Sequence, residues 1–352
     1  MKKIISLILL MCMGILLNAC SPSQPTAQMT TLNGKTMGTT YTVKYITQPN
    51  QKLPNSQQVQ KQIDDLLKEV NRQMSTYDKN SEISQFNQMP ASADAMPIGN
   101  DFATVLAEAL RLHTQTEGAL DVTLGALVNA WGFGADKSVN KSPTTEELLK
   151  INQMVGIDKL IFQHAENGKF ATLTKKVDGL YVDLSAIAKG FGVDKVASHL
   201  ETLGVANYLV EIGGELRGKG LNLQGKAWSV GIEQPSLAQQ QNSQIVVSLG
   251  HGALATSGDY RNFHTDERGK RLSHIINPRT QQPISHNLAS VSVIADSAMT
   301  ADGLATGLFV LGETEAMRVA ERHKLAVFFI IKTENGFETK QSPEFTKFVA
   351  QP

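Results

Sequence analysis

The segment that most constrains the fold is residues 180–200, where a strand-like pattern passes directly into a helical one. Residues 180–184 predict a short strand. The helix after it is predicted by apolar residues at helical spacing: Ile187, Val193, Val196, Ala197 and Leu200. A helix that starts directly behind a strand presents free backbone N–H groups, which favour an anion such as phosphate. Asp183 and Lys189 are the charged side chains beside that opening; an ordinary structural junction is the alternative.

The N-terminus has the layout of a secretory signal peptide. Lys2 and Lys3 precede an apolar run over residues 4–17, which is too short to span a bilayer permanently. The run ends in Leu17-Asn18-Ala19-Cys20, which resembles the lipobox of bacterial lipoproteins. We expect cleavage after residue 19, lipidation of Cys20, and a tether over residues 20–28, which are rich in Ser, Pro, Thr and Gln. An ordinary secreted protein with a spare thiol is the alternative.

This reading predicts a lipid-anchored membrane protein that faces the periplasm, in the inner or the outer membrane leaflet. Ser21 after the cysteine favours the outer membrane. Cleavage also removes Cys12, which leaves Cys20 as the only cysteine and excludes an internal disulfide. The exported chain must therefore rely on its hydrophobic core for stability.

Composition and element order predict a single α+β domain over residues 29–346. The chain has 352 residues, 41% of them hydrophobic, which is enough for one large core or two modest ones. Its formal net charge is zero, so no basic excess indicates nucleic-acid binding. Short strands and helices are interleaved without a regular βαβ rhythm, which favours mixed sheets over a doubly wound parallel sheet.

Periodicity and capping residues predict the remaining elements. Helices are expected over residues 59–74, after Ser81, from residue 102 to about residue 116, from the Thr144/Glu147 capping box to residue 154, from near Ser297 and from residue 313. Strands are expected over residues 35–45, 160–162, 170–173, 208–212, 228–232, 245–249, 253–256, 290–295 and at the end of the stretch to residue 331. Gly213-Gly214 predicts a bulge or a close backbone approach.

Asp302 and Thr306 are the candidate metal ligands. They lie four residues apart on a predicted helix, so both point to the same face, one turn from each other. A carboxylate and a hydroxyl at that spacing suit a hard cation such as Mg²⁺, with phosphate, backbone carbonyl and water completing the shell. The alternative is a solvated aspartate placed favourably near a helix N-terminus. The sequence contains no zinc-like Cys/His spacing and no Walker or Rossmann glycine pattern.

Three further side chains are candidates for ligand contacts. His274 is predicted in a strand that leads to Asn277-Pro278, a setting suited to an exposed strand end. Met37 and Tyr77 carry polarisable or flat groups able to stack on an aromatic ligand. Each of these residues has a purely structural alternative.

Eight short motifs together resemble a known family. In chain order they are Thr36-Met37-Gly38-Thr39, Met74-Ser75-Thr76-Tyr77, Gly118-Ala119-Leu120-Asp121-Val122-Thr123, Val182-Asp183-Leu184-Ser185-Ala186-Ile187-Ala188-Lys189-Gly190, Ile212-Gly213-Gly214-Glu215, Ala255-Thr256-Ser257-Gly258-Asp259-Tyr260, His274-Ile275-Ile276-Asn277-Pro278 and Asp302-Gly303-Leu304-Ala305-Thr306. On these motifs the chain resembles ApbE-type flavin transferases (FAD:protein FMN transferases), once labelled thiamine-biosynthesis lipoproteins. The resemblance extends from about residue 29 to residue 344.

The resemblance implies a Mg²⁺-dependent transfer of the FMN half of FAD to a Ser or Thr hydroxyl of a partner protein, with release of AMP. It places His274 beside the reacting phosphate, where it is the candidate general base. It places eight residues at FAD contacts: Met37, Tyr77, Ala119, Leu120, Asp121, Asp183, Lys189 and Ile276. It places three at the metal: Asp302, Thr306 and the backbone carbonyl of Ala186.

The partner that the resemblance suggests is an extracytoplasmic subunit of an Rnf- or Nqr-type redox complex. Two other functions stay open at this point: an FAD pyrophosphatase that yields FMN and AMP, and a non-catalytic flavin-binding envelope lipoprotein. Two residues depart from the family pattern. Gln281 replaces the usual glycine after Thr280, which predicts an altered turn before Pro283, and Phe191 stands where tyrosine is common.

Overall fold

An antiparallel sheet of eight strands forms the centre of the computed structural model, in the order β1-β2-β6-β7-β10-β13-β14-β15. The structure describes residues 26–135, 142–164, 171–233, 243–258, 263–265, 269 and 271–350. The predicted signal peptide, Cys20 and most of the predicted tether lie outside these residues. Within the described ranges, no helix is long and apolar enough to cross a membrane.

The strands are β1 (Gln28–Thr36), β2 (Thr39–Thr47), β3 (Met96–Ile98), β4 (Leu160–His164), β5 (Ala171–Lys175), β6 (Tyr208–Ile212), β7 (Glu215–Lys219), β8 (Trp228–Glu233), β9 (Ser243–Leu249), β10 (His251–Gly258), β11 (Phe263–Thr265), β12 (Arg271–Ser273), β13 (Leu288–Ala295), β14 (Ala326–Thr333) and β15 (Gly336–Gln341). The α-helices are α1 (Ser56–Met74), α2 (Glu82–Gln88), α3 (Asn100–Gln115), α4 (Gly125–Ala130), α5 (Thr145–Asn152), α6 (Ala188–Thr202), α7 (Ala298–Leu311) and α8 (Glu313–His323). The predicted α+β class is confirmed.

Strand β14 shows why the centre of the sheet has an almost continuous apolar sequence. Val327, Phe329 and Ile331 belong to the core that contains α3, α7 and α8. The alternate residues Phe328 and Ile330 pack on the opposite side, in a cluster with the β8–β9 hairpin and the C-terminal 3-10 helix Pro343–Phe348. Both faces of the strand are therefore buried, and the side-chain period of two places apolar residues on each.

Helices α6 and α7 approach each other closely, and this contact places the charged groups of the site. A Cβ atom at Gly190 would lie 2.2 Å from the carbonyl oxygen of Ala298, so only glycine fits there. Asp194, one turn further along α6, accepts hydrogen bonds from the backbone N–H groups of Ala298 (3.1 Å) and Met299 (2.9 Å) at the start of α7. The helix predicted to begin near Ser297 is confirmed, and Ser297 caps it, because its hydroxyl accepts from the N–H of Thr300 (3.1 Å).

The strand predicted over residues 180–184 is wrong, and its absence has a clear cause. Only Tyr181 pairs, in an isolated parallel bridge with Leu124. The amide side chain of Asn87 bonds both backbone groups of Val182, and the N–H of Asp183 donates to the carbonyl of Val122 (2.8 Å). A side chain thus takes the position of the strand partner. Strand propensity does not reveal that a side chain replaces the partner strand. Asp183 therefore follows an extended loop rather than the predicted strand.

The single strand predicted over residues 35–45 is also wrong. The segment is a hairpin in which Met37 (φ 49°) and Gly38 (φ 72°) form a two-residue turn between β1 and β2. Both turn residues need positive φ, as in the tight hairpin turns that match strand twist. The glycine in this alternating segment marks the turn rather than the head of a strand.

Gly213 and Gly214 form a second two-residue hairpin turn, between β6 and β7. The predicted bulge is therefore wrong. The predicted close backbone approach is confirmed, because a Cβ atom at Gly213 would lie 2.8 Å from Cγ2 of Thr39. Apart from the strand predicted around His274, the other predicted helices and strands are present, with shifted ends; the helix that starts at Thr144 ends at Asn152 rather than at residue 154.

Candidate functional site

A cavity of about 830 Å³ opens at the end of the central sheet. This volume is within the range of sites for cofactor-sized ligands. Every residue predicted from the sequence to contact FAD, to bind the metal or to act as the general base lines it. They are Met37, Tyr77, Ala119, Leu120, Asp121, Asp183, Ala186, Lys189, His274, Ile276, Asp302 and Thr306. The structure thus brings together residues from six separate segments of the chain, while their individual roles remain predictions.

The inner wall of the cavity consists of Lys189, Glu215, Asp302 and Thr306, which come from α6, β7 and α7. The ammonium of Lys189 lies 3.3 Å from Oε1 of Glu215 and 3.5 Å from Oδ1 of Asp302. The other carboxylate oxygen of Asp302 accepts from the backbone N–H of Gly190 (3.0 Å). The sequence predicts that free N–H groups at the start of α6 favour an anion. One of these groups, the N–H of Gly190, donates to the carboxylate of Asp302 instead.

The two acidic side chains of the inner wall are almost completely buried, with 5% of the Glu215 side chain and 3% of the Asp302 side chain exposed. The interpretation of Asp302 as a solvated aspartate is therefore wrong. Burial raises the pKa of both carboxyls, and the charge of Lys189 opposes that effect. Desolvation also acts against the ammonium, but the two carboxylates outweigh it and raise the pKa of Lys189.

The inner wall fits a hard cation in charge and in ligand type. When ionised, its two carboxylates exceed the single ammonium by one negative charge, and one oxygen of Glu215 is buried without a hydrogen-bond partner. Thr306 lies one turn after Asp302, and its hydroxyl lies 3.0 Å from that of Ser257. In the described ranges no three His, Cys, Asp or Glu side chains form a metal-binding group, so ligand oxygens and water would have to complete a Mg²⁺ shell.

Turns and loops form the rim of the cavity, defined here as the lining residues Met37, Tyr77, Asp183 and His274 together with the turn at residues 277–282, which follows the lining residue Ile276 without itself lining the cavity. Tyr77 follows α1 and is 62% exposed. The carboxylate of Asp183 accepts from the N–H of Ser185 (2.8 Å), which fixes a tight turn ahead of α6. Such surface segments suit a ligand that enters from solvent, because their side chains are reachable without unfolding any regular element.

Hydrogen bonds to the C-terminal end of α3 fix the position of the segment Ala119–Asp121. The hydroxyl of Thr116 accepts from the N–H of Leu120 (3.0 Å), and the carbonyl of Leu120 lies 2.8 Å from Nδ1 of His113. Oδ1 of Asp121 accepts from both the N–H and the hydroxyl of Thr123 (2.8 and 2.6 Å). The three candidate FAD contacts in this segment therefore share one rigid support.

His274 follows β12 directly instead of lying within a strand as predicted. Its ring is 6.4 Å from that of Phe133 in an edge-on arrangement. The next turn is fixed by Asn277, whose side-chain oxygen accepts from the N–H of Arg279 (2.8 Å), and by the indole of Trp131, which donates to the carbonyl of Gln281 (2.9 Å). The α4 region and this turn together support the position of His274 and Ile276.

Sequence reasoning assigned no role to two groups of this site. Glu215 belongs to the inner wall, and the available signal was an acidic residue directly after the paired glycines of a hairpin turn. Ser257 contacts Thr306, and the available signal was its place in the motif Ala255-Thr256-Ser257-Gly258-Asp259-Tyr260. Asp259 and Tyr260 from the same motif lie outside the described residues.

A family model described as the ApbE family matches residues 37–329. The chain belongs to this family. A Haemophilus influenzae protein named FAD:protein FMN transferase is 50% identical over 347 residues, which are 99% of this chain and 98% of the relative. The family resemblance drawn from the eight motifs is thereby confirmed.

Two solved structures of ApbE proteins show the same fold. The flavin transferase ApbE from Vibrio cholerae is 48% identical, with a TM-score of 0.83, and the match covers 92% of this chain and 99% of the other. The apo form of the flavinyl transferase ApbE from Pseudomonas stutzeri is 34% identical, with a TM-score of 0.82, and the match covers 92% and 98%. The ApbE-type domain predicted from the sequence is therefore the observed one.

Proposed function

We propose that this protein transfers the FMN moiety of FAD to a Ser or Thr hydroxyl of a partner protein and releases AMP. The observation that carries the proposal is the cavity itself, which gathers all twelve candidate residues around a buried Lys189–Glu215–Asp302 cluster. Membership of a family whose relatives are named FAD:protein FMN transferase supports the same reaction.

In the proposed reaction the acceptor hydroxyl attacks the FMN phosphorus of FAD. A new P–O ester bond forms as the P–O bond to AMP breaks, and AMP leaves with the electron pair. His274 takes the proton of the hydroxyl, since it lines the cavity and imidazole is the usual base near neutral pH. The ammonium of Lys189 stabilises the pyrophosphate, and the rim residues Met37, Tyr77 and Asp183 hold the flavin dinucleotide.

Asp302, Thr306 and the carbonyl of Ala186 would hold Mg²⁺ in this proposal. When bound, the ion neutralises pyrophosphate charge and makes AMP a better leaving group. The two buried carboxyls of the inner wall support the assignment, because burial disfavours their ionised forms and a bound cation would favour them. Glu215 supports it indirectly, because it offers Lys189 a second partner when Asp302 binds a cation.

The acceptor and the cellular location belong to the same proposal. The partner is an extracytoplasmic protein with a flavinylation motif around its Ser or Thr, of the kind found in Rnf- or Nqr-type redox subunits. Lipidation at Cys20 would anchor the enzyme on a membrane surface facing the periplasm. Cys20→Ser should release the protein from the membrane fraction of cells; retention there would contradict the anchor.

The reaction is tested by incubating the protein with FAD, Mg²⁺ and an acceptor domain that carries a flavinylation motif. Mass spectrometry should show one FMN added to the acceptor, with an equimolar yield of AMP. The control omits the acceptor. Rapid release of FMN without a labelled acceptor would instead support the pyrophosphatase, and bound FAD without either product would support a flavin-binding protein.

A further inference from the structure

Helix α2 is bonded at both ends to segments of the cavity wall. At its N-terminal end, the hydroxyls of Ser81 and Ser84 donate to the carbonyl oxygen of Ser75 (2.7 and 3.3 Å). Ser75 lines the cavity, as do the two residues after it, which include Tyr77. This end of the helix therefore fixes the loop that presents Tyr77.

The C-terminal end of α2 holds the segment that presents Asp183. The side-chain amide of Asn87 donates to the carbonyl of Val182 (2.9 Å), and its oxygen accepts from the N–H of Val182 (2.8 Å). Val182 is fully buried, so both of its backbone groups would otherwise be left without partners. One side chain thus replaces a neighbouring strand at this point.

A buried lysine fixes Asn87 in turn. The ammonium of Lys175 donates to the carbonyls of Asn87 (3.0 Å) and Leu180 (3.1 Å) and lies 4.8 Å from the centre of the Phe86 ring. Only 3% of Lys175 is exposed. The ammonium of Lys175 binds one carbonyl of α2 and one carbonyl of the segment that contains Val182. It therefore fixes the distance between α2 and that segment.

We propose that Asn87 is a positioning residue for the flavin site, which acts through Val182 to set the place of Asp183. The inference rests on the proposed function, which assigns Asp183 to an FAD contact. Asn87 is not among the described residues that line the cavity, so it acts without touching the ligand. Loss of its amide would leave the buried groups of Val182 unpaired and let the turn at Asp183 move.

The test is a double-mutant cycle on FAD affinity, measured with the purified protein, Mg²⁺ and no acceptor. Asn87→Ala should weaken FAD binding by about 10- to 100-fold, the usual cost of misplacing a binding group by a small distance. Asp183→Ala should also weaken it. The double variant should bind no worse than Asp183→Ala, because Asn87 then has no contact left to position. The matched control is Gln88→Ala, an exposed amide on the same helix, which should bind as the parent does.

Two outcomes would overturn the proposal: FAD affinity of Asn87→Ala equal to that of the parent, or a double variant in which the two losses multiply. If Asn87→Ala does not fold, Asn87→Asp keeps the size and the acceptor oxygen while losing the donor to Val182. It should show a loss in the same direction, because a carboxylate oxygen would then face the carbonyl oxygen of Val182, and parent-like affinity would count against the proposal. Absence of FAD binding by the parent protein would contradict the proposed function instead.

Discussion

The inner wall and the rim of the cavity are built in opposite ways. Lys189, Glu215 and Asp302 project from regular elements, and their charges contact one another within 3.5 Å in a largely buried cluster. The rim is made of turns, and its most accessible aromatic residue, Tyr77, is 62% exposed. Two rim residues, Met37 and Gln281, adopt positive φ without being glycine.

This difference indicates that the inner wall and the rim have different roles. A buried cluster that holds Lys189 and would hold Mg²⁺ in fixed positions can stabilise developing charge without reorganisation, which is the requirement for the phosphate end of the substrate. Accessible turns suit the reversible capture of a large dinucleotide and the approach of a protein hydroxyl. Substitutions in the inner wall should therefore affect chemistry, and most substitutions in the rim should affect binding.

His274 is the exception that tests this difference in roles, because it lies on the rim but is proposed to act in the chemistry. His274→Asn should lower the transfer rate by about 10²- to 10⁴-fold at saturating FAD, the usual contribution of a general base, while FAD affinity is retained. The measurement is the rate of acceptor labelling beside a binding titration. His251→Asn, at an exposed position on β10, is the control. A loss below about tenfold, or a loss confined to FAD affinity, would exclude the base role.

Asp302 tests the inner wall directly. Asp302→Asn should lower FMN transfer by about 10²- to 10³-fold, because it removes the carboxylate proposed to hold Mg²⁺ at the reacting phosphate. It should also abolish the dependence of the residual rate on Mg²⁺ concentration. Asp296→Asn changes an exposed carboxylate just before α7 and should leave the rate unchanged. Unaltered transfer by Asp302→Asn would remove the metal assignment.

Asp194 tests whether the inner wall depends on the contact between α6 and α7. Asp194→Ala leaves the N–H groups of Ala298 and Met299 without their acceptor and removes the partner of Arg217 (2.7 Å). The free energy of unfolding, measured by urea denaturation, should fall by about 1–3 kcal/mol. Glu315→Ala, with an exposed carboxylate in the first turn of α8, should change it by less than about 1 kcal/mol. Equal effects of the two variants would contradict the proposed helix support.

Sequence patterns predicted what depends on local geometry. Asp302 and Thr306 were recognised as neighbours because four residues make one helical turn. The caps Ser81 and Thr144 were recognised because a cap bonds within its own first turn, and both are observed.

The contacts that sequence patterns missed join distant segments. The partnership of Glu215 with Lys189 depends on β7 meeting α6, and no local signal encodes that meeting. The strand expected over residues 180–184 is absent for the same reason, because the side chain of Asn87 takes the place of a partner strand. The turn at Met37-Gly38 was within reach of a local rule, because a glycine inside an alternating segment favours a turn.

Gln281→Gly tests the rim and has the smallest expected effect of the variants considered. The position usually holds glycine in the family that the motifs indicate, and here Gln281 has φ 59°, a conformation that costs a residue with a Cβ atom about 1–2 kcal/mol. Gln281→Gly removes that cost but adds chain entropy to the unfolded state, worth about 0.5–1 kcal/mol. The free energy of unfolding should therefore rise by up to about 1.5 kcal/mol.

The neighbouring residue is the matched control for this change. Gln282 lies in the same turn with ordinary φ, and its carbonyl accepts from the N–H of Asn277 (2.9 Å). Gln282→Gly should therefore lower the free energy of unfolding by about 0.5–1 kcal/mol, since only the entropy term applies. FAD affinity should be unchanged in Gln281→Gly, because the carbonyl that binds Trp131 belongs to the backbone. Destabilisation of the same size in both variants would show that the turn of Gln281 carries no strain, and that the rim differs from the inner wall in exposure alone.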